Sequence, residues 1–113
     1  MKRIFSILAI ALTMFLGLSF SQPAFAEQTS GQKVFSSNCA SCHAGGTNRV
    51  VAAKNLKKDA LEKYGKYSVE AIVAQVTKGK GAMPAFGKKL TANEINLVAN
   101  YVIEQADNGW AKS

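Results

Sequence analysis

One histidine, two cysteines and one tryptophan are all that 113 residues supply of those types. A Cys2His2 zinc site and a three-histidine metal centre therefore lack ligands, and a multi-disulfide scaffold lacks cysteines. The length allows one small domain and excludes two. Acidic residues are scarce as well: seven Asp and Glu stand against fourteen Lys and Arg, for a net charge of +7. The basic residues carry no interleaved aromatic pattern, which argues against nucleic acid as a partner. No segment alternates with the period of a strand, and there is neither an internal repeat nor a low-complexity tract. What is present is unevenly spread. Hydrophobic residues make up 48% of the chain, and much of that excess sits in the first 26 residues.

That first segment reads as an address. Lys2 and Arg3 open it, residues 4–20 form an almost uninterrupted apolar run, and Ser21-Gln22-Pro23 breaks the run. Ala24-Phe25-Ala26 then supplies the small-x-small pattern of a cleavage site. A transmembrane helix needs about 20 apolar residues. This run is shorter and carries Ser6, Thr13, Gly17 and Ser19. We read residues 1–26 as a cleaved secretory signal peptide rather than a permanent membrane anchor, and residues 27–113 as the domain. Cleavage leaves 87 residues and removes two positive charges, taking the net charge to +5. The destination lies outside the cytoplasm, in a periplasm or a lumen.

The remainder predicts helices and loops. Thr29 and Gln32 fit a capping box ahead of a helical run over residues 31–43. Residues 57–64 form a short helix with Leu61 inward. Ser68 can cap a helix through Thr77, with Val69, Ile72, Val73 and Val76 at three- and four-residue spacing, and Gly79 and Gly81 end it. Thr91 and Glu94 make a second capping box, opening a helix to about Ala106. Its apolar stripe is Ile95, Val98, Ala99 and Val102, and Gly109 closes it. Residues 44–56 are a long polar loop. The fold class is all-α. Domains of this size bury only about 60–65% of their unfolded surface, so a bound group is expected to supplement the core.

Cys39-Ala40-Ser41-Cys42-His43 is the C-x-x-C-H pattern of c-type haem attachment. Two thiols three positions apart can each add to a haem vinyl group, and the adjacent imidazole then lies under the iron. A redox dithiol and a structural disulfide are the alternatives. The absence of a βαβ pattern tells against the first, and the immediately following His43 tells against both. With no second histidine, bis-His ligation is impossible. Met83 is the one methionine beyond residue 26, and it sits in a Gly-rich loop directly before Pro84 rather than in a helical stripe. Pro84 biases Met83 to an extended backbone. We therefore expect His43 and Met83 as the axial pair. A thioether raises the reduction potential, and a six-coordinate iron leaves no place for oxygen or peroxide. These features predict an electron carrier, not an enzyme.

Several segments together resemble cytochrome c6, the soluble class I cytochrome c of cyanobacteria and algae. They are Lys33-Val34-Phe35, the run from Asn38 through Gly46, Leu56-Lys57-Lys58, Gln75-Val76-Thr77, the run from Gly81 through Gly87, and Tyr101-Val102 with Gly109-Trp110. The resemblance implies a class I cytochrome c fold of about four short helices around one covalently bound haem c, with the first and last helices crossing near Gly31 and Tyr101. It implies Cys39 and Cys42 as attachment points and His43 and Met83 as axial ligands. It also places Gln75 beside the haem, where its amide tunes the potential. The residues alone read Gln75 as an ordinary polar helical position. The implied role is electron shuttling in the thylakoid lumen, from the cytochrome b6f complex (through cytochrome f) to photosystem I. A respiratory terminal oxidase, reached in a lumen or periplasm, is the alternative acceptor. The implied protein is a monomer without a membrane anchor. One departure stands out: many relatives carry Gly-Arg after Phe-Gly, where this chain has Lys88-Lys89. Lys lacks the bidentate fork of Arg.

Lys54, Lys57, Lys58, Lys63 and Lys66 cluster, and Lys78, Lys80, Lys88 and Lys89 flank the methionine loop. Such charge reads either as a solvated face or as a surface that steers the protein onto acidic docking sites.

Overall fold

The computed structural model describes residues 23–111, so residues 1–22 of the expected signal peptide lie outside the described residues. Five α-helices follow in order: α1 (Pro23–Asn38), α2 (Ala40–His43), α3 (Lys58–Lys63), α4 (Val69–Lys78) and α5 (Ala92–Asp107). A 3-10 turn, Ala44–Gly46, follows α2 directly. Among the described residues there is no strand, and β-type pairing is confined to an isolated bridge between Lys80 and Met83. The all-α expectation therefore holds.

The helix ends follow local chemistry. The Ser68 hydroxyl accepts from the Ala71 N–H at 3.1 Å and caps α4. At α5 the capping box forms in both directions: Thr91 Oγ1 accepts from Glu94 N–H at 3.0 Å, and Glu94 Oε1 accepts from Thr91 N–H at 2.9 Å. Each satisfies an amide that the first helical turn leaves without an intrahelical partner. The far end of α5 closes as a Schellman turn, with Gly109 N–H on Ala106 O at 3.2 Å and Trp110 N–H on Gln105 O at 2.8 Å.

One expected cap does not form. Helix α1 already begins at Pro23, six residues ahead of Thr29, so Thr29 lies inside the helix. Pro at the first helical position lacks an N–H that would go unpaired there anyway, and its fixed φ suits the helix. Ala24 to Ser30 then contains no residue that must break the helix.

Helix α1 crosses α5 at Gly31. A Cβ there would lie 2.7 Å from Leu97 O and 3.1 Å from Tyr101 Cβ, so the two backbones meet where a side chain would stand. Phe35, one turn on, packs at a tilt against Tyr101 with ring centroids 5.3 Å apart. Helix α4 lays Ile72 and Val76 into the same core as Ile95, Val98, Ala99 and Val102 of α5. Leu61 adds α3 and Phe86 adds the loop before α5. Val98 is 1% exposed and Ala99 0%, which makes α5 the central helix. Burying a Val or Ile side chain of this kind stabilises the fold by about 1.5–3 kcal/mol. No polar or charged side chain is buried among the described residues.

Candidate haem site

The first half of the site is mounted on the end of α1. Cys39 N–H continues the helical pattern onto Phe35 O at 2.8 Å, and Asn38 Nδ2 donates to Val34 O at 3.0 Å. The single turn α2 then hangs from Cys39 O, which accepts from Cys42 N–H at 3.2 Å and from His43 N–H at 2.9 Å. Both cysteines and His43 thus share one turn. Cys39 is half-buried against the core and Cys42 is exposed. Desolvation pushes the Cys39 thiol up to about 11.

The His43 ring is held from behind. Its Nδ1 lies 2.8 Å from Thr47 O. A carbonyl can only accept, so the proton sits on Nδ1 and the Nε2 lone pair is left for a metal. Thr47 is itself fastened, with Oγ1 donating to Ala44 O at 2.6 Å, and Arg49 N–H returns to Cys42 O at 3.0 Å. The sequence offered no signal for this partner, because a backbone carbonyl belongs to every residue type.

The second half is built on the end of α4. Lys80 and Met83 exchange two backbone hydrogen bonds, each 3.0 Å. Phe86 N–H reaches Val76 O at 2.8 Å and Gly87 N–H reaches Thr77 O at 3.2 Å, so the returning loop pairs carbonyls that the helix end leaves open. Gly79 turns the chain with φ 68°, and a Cβ there would meet Met83 O at 2.6 Å and Ala85 N at 2.7 Å. Only glycine fits on both counts. Met83 is half-buried against the core cluster that also carries Cys39. Gln75, one turn before the end of α4, points its Nε2 at Met83 Sδ at 3.6 Å. The structure thus brings Gln75 to Met83, and Cys39, Cys42 and His43 to one another.

A family model described as cytochrome c oxidase, cbb3-type, subunit III matches residues 26–102. Cytochrome c6 from Nostoc sp. strain PCC 7120 is 55% identical over 111 residues, which is 97% of this chain and 99% of that protein. The chain belongs to the cytochrome c6 family. Cytochrome c6 from Aphanizomenon flos-aquae is 63% identical over 87 residues, covering 77% of this chain and all of that protein. The crystallised cytochrome c6 of the diatom Phaeodactylum tricornutum superimposes with a TM-score of 0.72 at 47% identity, covering 74% of this chain and 98% of that one. Cytochrome c6 is an electron carrier with a single covalently bound haem c.

The residues present fit that group. The donors are two thiols on one turn, an imidazole nitrogen with a free lone pair, and a thioether on a stiff loop. Among the described residues no cluster of His, Cys, Asp and Glu could hold a bare metal ion instead. Apolar side chains are left uncovered by the chain itself: Val50 is 63% and Val51 44% exposed, while Leu56, Val69, Val73 and Leu90 are only partly buried. A redox dithiol fits less well. It needs a thiol whose pKa is lowered into the neutral range or below, whereas burial pushes Cys39 the other way. No described helix is long and apolar enough to cross a membrane.

The amide beside Met83 gives the first expected result. Gln75→Leu keeps the side-chain volume and should lower the reduction potential modestly. The N–H dipole now turned toward the sulfur makes the site more positive and favours its reduced form. Potentiometric titration of the folded variant checks this. An unchanged potential would make Gln75 an ordinary surface position.

Proposed function

We propose that this cytochrome c6 carries single electrons from the cytochrome b6f complex, through cytochrome f, to photosystem I in the thylakoid lumen. Cys39 and Cys42 would attach the haem through thioethers, His43 and Met83 would supply its iron ligands, and Gln75 would adjust the Met83 sulfur. The haem supplies a one-electron couple, and a His–Met ligand pair sets it at a moderately high potential. The chain's part is to hold both ligands still. Thr47 O fixes the His43 ring, the Lys80–Met83 bridge fixes the Met83 backbone, and Gln75 Nε2 lies against its sulfur. The observation that carries the reading is the Met83 loop: its half-buried thioether is pinned to α4 and accepts from Gln75.

Residues 1–26 are the cleaved signal peptide in this reading. In support, the entire Aphanizomenon relative aligns over 87 residues, the number left by cleavage after Ala26. Cleavage would remove Pro23 to Ala26 from α1, well ahead of the crossing at Gly31.

The lysines around the site act as a steering surface. Lys54, Lys57, Lys58 and Lys63 are exposed, as are Lys78, Lys80, Lys88 and Lys89 around the Met83 loop. Lys89 Nζ lies 5.6 Å from the Phe86 ring centroid, and Lys58 Nζ 5.3 Å from that of Tyr67. Attraction between exposed charges speeds encounter more than it tightens a complex, which suits a carrier that must let go.

Flash-induced reduction of photosystem I by the purified protein tests the proposal. The rate should saturate at micromolar protein and fall as salt rises, since the Debye length shrinks to about 10 Å at 0.1 M. No reduction of photosystem I would defeat it. A second reading, donor to a terminal oxidase, draws on the match to an oxidase subunit family. Oxygen uptake by an oxidase fed with this protein alone measures that route.

A further inference from the structure

Trp110 has no part in the site as described. Among the described residues it is the one non-glycine with a left-handed backbone, φ 57°. A residue with a Cβ adopts that conformation at a cost, so its contacts must hold it there. Its ring packs at a tilt against that of Phe35, centroids 5.3 Å apart, and meets Tyr101 edge-on at 6.2 Å. Its indole Nε1 donates to Leu56 O at 3.0 Å, across 54 positions of sequence. The Leu56 N–H in turn donates to Gly46 O at 2.8 Å. Gly46 is buried with φ 82°, and a Cβ there would lie 2.5 Å from Trp110 Nε1. The indole therefore occupies the space where any side chain of residue 46 would begin. The next carbonyl in the chain is Thr47 O, the acceptor of His43 Nδ1–H at 2.8 Å.

We propose that Trp110 is a positioning residue for His43: by clamping Gly46 and Leu56 together, it fixes the Thr47 carbonyl that sets the direction and basicity of the imidazole. The proposal rests on His43 being an axial ligand. An imidazole whose N–H is held by a carbonyl is a more basic ligand and favours the oxidised metal. Loosening the clamp weakens that hold and raises the potential. The effect belongs to the histidine side, because the Met83 loop is pinned separately to α4.

Trp110→Phe tests this in the haem-loaded protein. It keeps a ring against Phe35, Tyr101 and Gly46 and removes the indole N–H. The His43 Nδ1–H and the Leu56 amide should exchange with solvent about fivefold faster, the factor that one ordinary hydrogen bond supplies. The midpoint potential should rise with them. Tyr67→Phe is the control, since it deletes the Tyr67–Asp107 hydrogen bond at the same end of α5, a bond that does not involve Gly46, Thr47 or Leu56. It should leave the His43 exchange rate and the potential at their unsubstituted values. Unchanged exchange and potential in Trp110→Phe, or equal changes in both variants, would overturn the proposal. A wrong ligand assignment shows in the unsubstituted protein instead, whose spectrum would then lack the signature of a thioether-linked, His–Met-ligated haem.

Discussion

Replacing Met83 by Leu should lower the reduction potential by on the order of 100 mV, a fraction of the roughly 0.8 V that axial ligation spans. The substitution is close to volume-conserving, and such swaps usually cost less than about 1.5 kcal/mol. The loop does not depend on the side chain for its shape. The Lys80–Met83 pair, Phe86 N–H on Val76 O and Gly87 N–H on Thr77 O are all backbone bonds. The sulfur is therefore removed from an otherwise intact frame. No replacement thioether is at hand, because Met83 is the one methionine beyond residue 26. Gln75 Nε2 also loses its 3.6 Å partner, so Gln75→Leu should add little once Met83→Leu is in place. That non-additivity separates a shared action on the sulfur from two independent effects. Redox titration of the two single variants and the double variant measures both quantities. A potential equal to that of the unsubstituted protein would remove Met83 from the axial position.

The Met83 loop was legible because its signals are local in the chain. A methionine between glycines and before a proline cannot be helical core filler, and C-x-x-C-H fits within one helical turn. Ser68 and the Thr91–Glu94 pair were legible for the same reason: a cap and its target lie three residues apart. Thr29 carried the same local pattern and was misread. Whether a residue caps a helix depends on what precedes it, and in the full chain Pro23 already starts the turn. The partners that hold His43 and Trp110 were the hidden part. Thr47 O behind His43 and Leu56 O under Trp110 are backbone acceptors, with nothing in the side chain to announce them. Gln75 lay between these cases. Helical spacing made it one more polar position, and its bond to Met83 depends on the loop folding back over the end of α4.

The other large effect should come from a residue with no chemistry of its own. Gly31→Val is expected to destabilise the fold by about 3 kcal/mol, the upper part of the range for overpacking. Two terms oppose each other. Exchanging glycine for a residue with a Cβ inside a helix gains up to about 1 kcal/mol of backbone entropy, less for a β-branched side chain. Against that, the new Cβ would stand 2.7 Å from Leu97 O, a backbone oxygen in the middle of α5 that cannot swing away as a side-chain tip could. The helices must separate, and the tilted Phe35–Tyr101 and Phe35–Trp110 ring contacts, both at 5.3 Å, loosen with them. Steric cost exceeds entropic gain because α5 is the central helix, with Val98 and Ala99 almost fully buried. Urea unfolding should show a lower midpoint at unchanged slope. Ser36→Ala, at an exposed position on the same helix, should stay within about 0.5 kcal/mol of the unsubstituted protein. Cys39 stands eight residues beyond Gly31, about 12 Å along the helix. A displaced α1 therefore carries the attachment turn with it, and Gly31→Val should also reduce the yield of thioether-linked haem. A Gly31→Val protein as stable as the unsubstituted one would show that the crossing has room for a side chain, and that the geometry of α2 is set elsewhere.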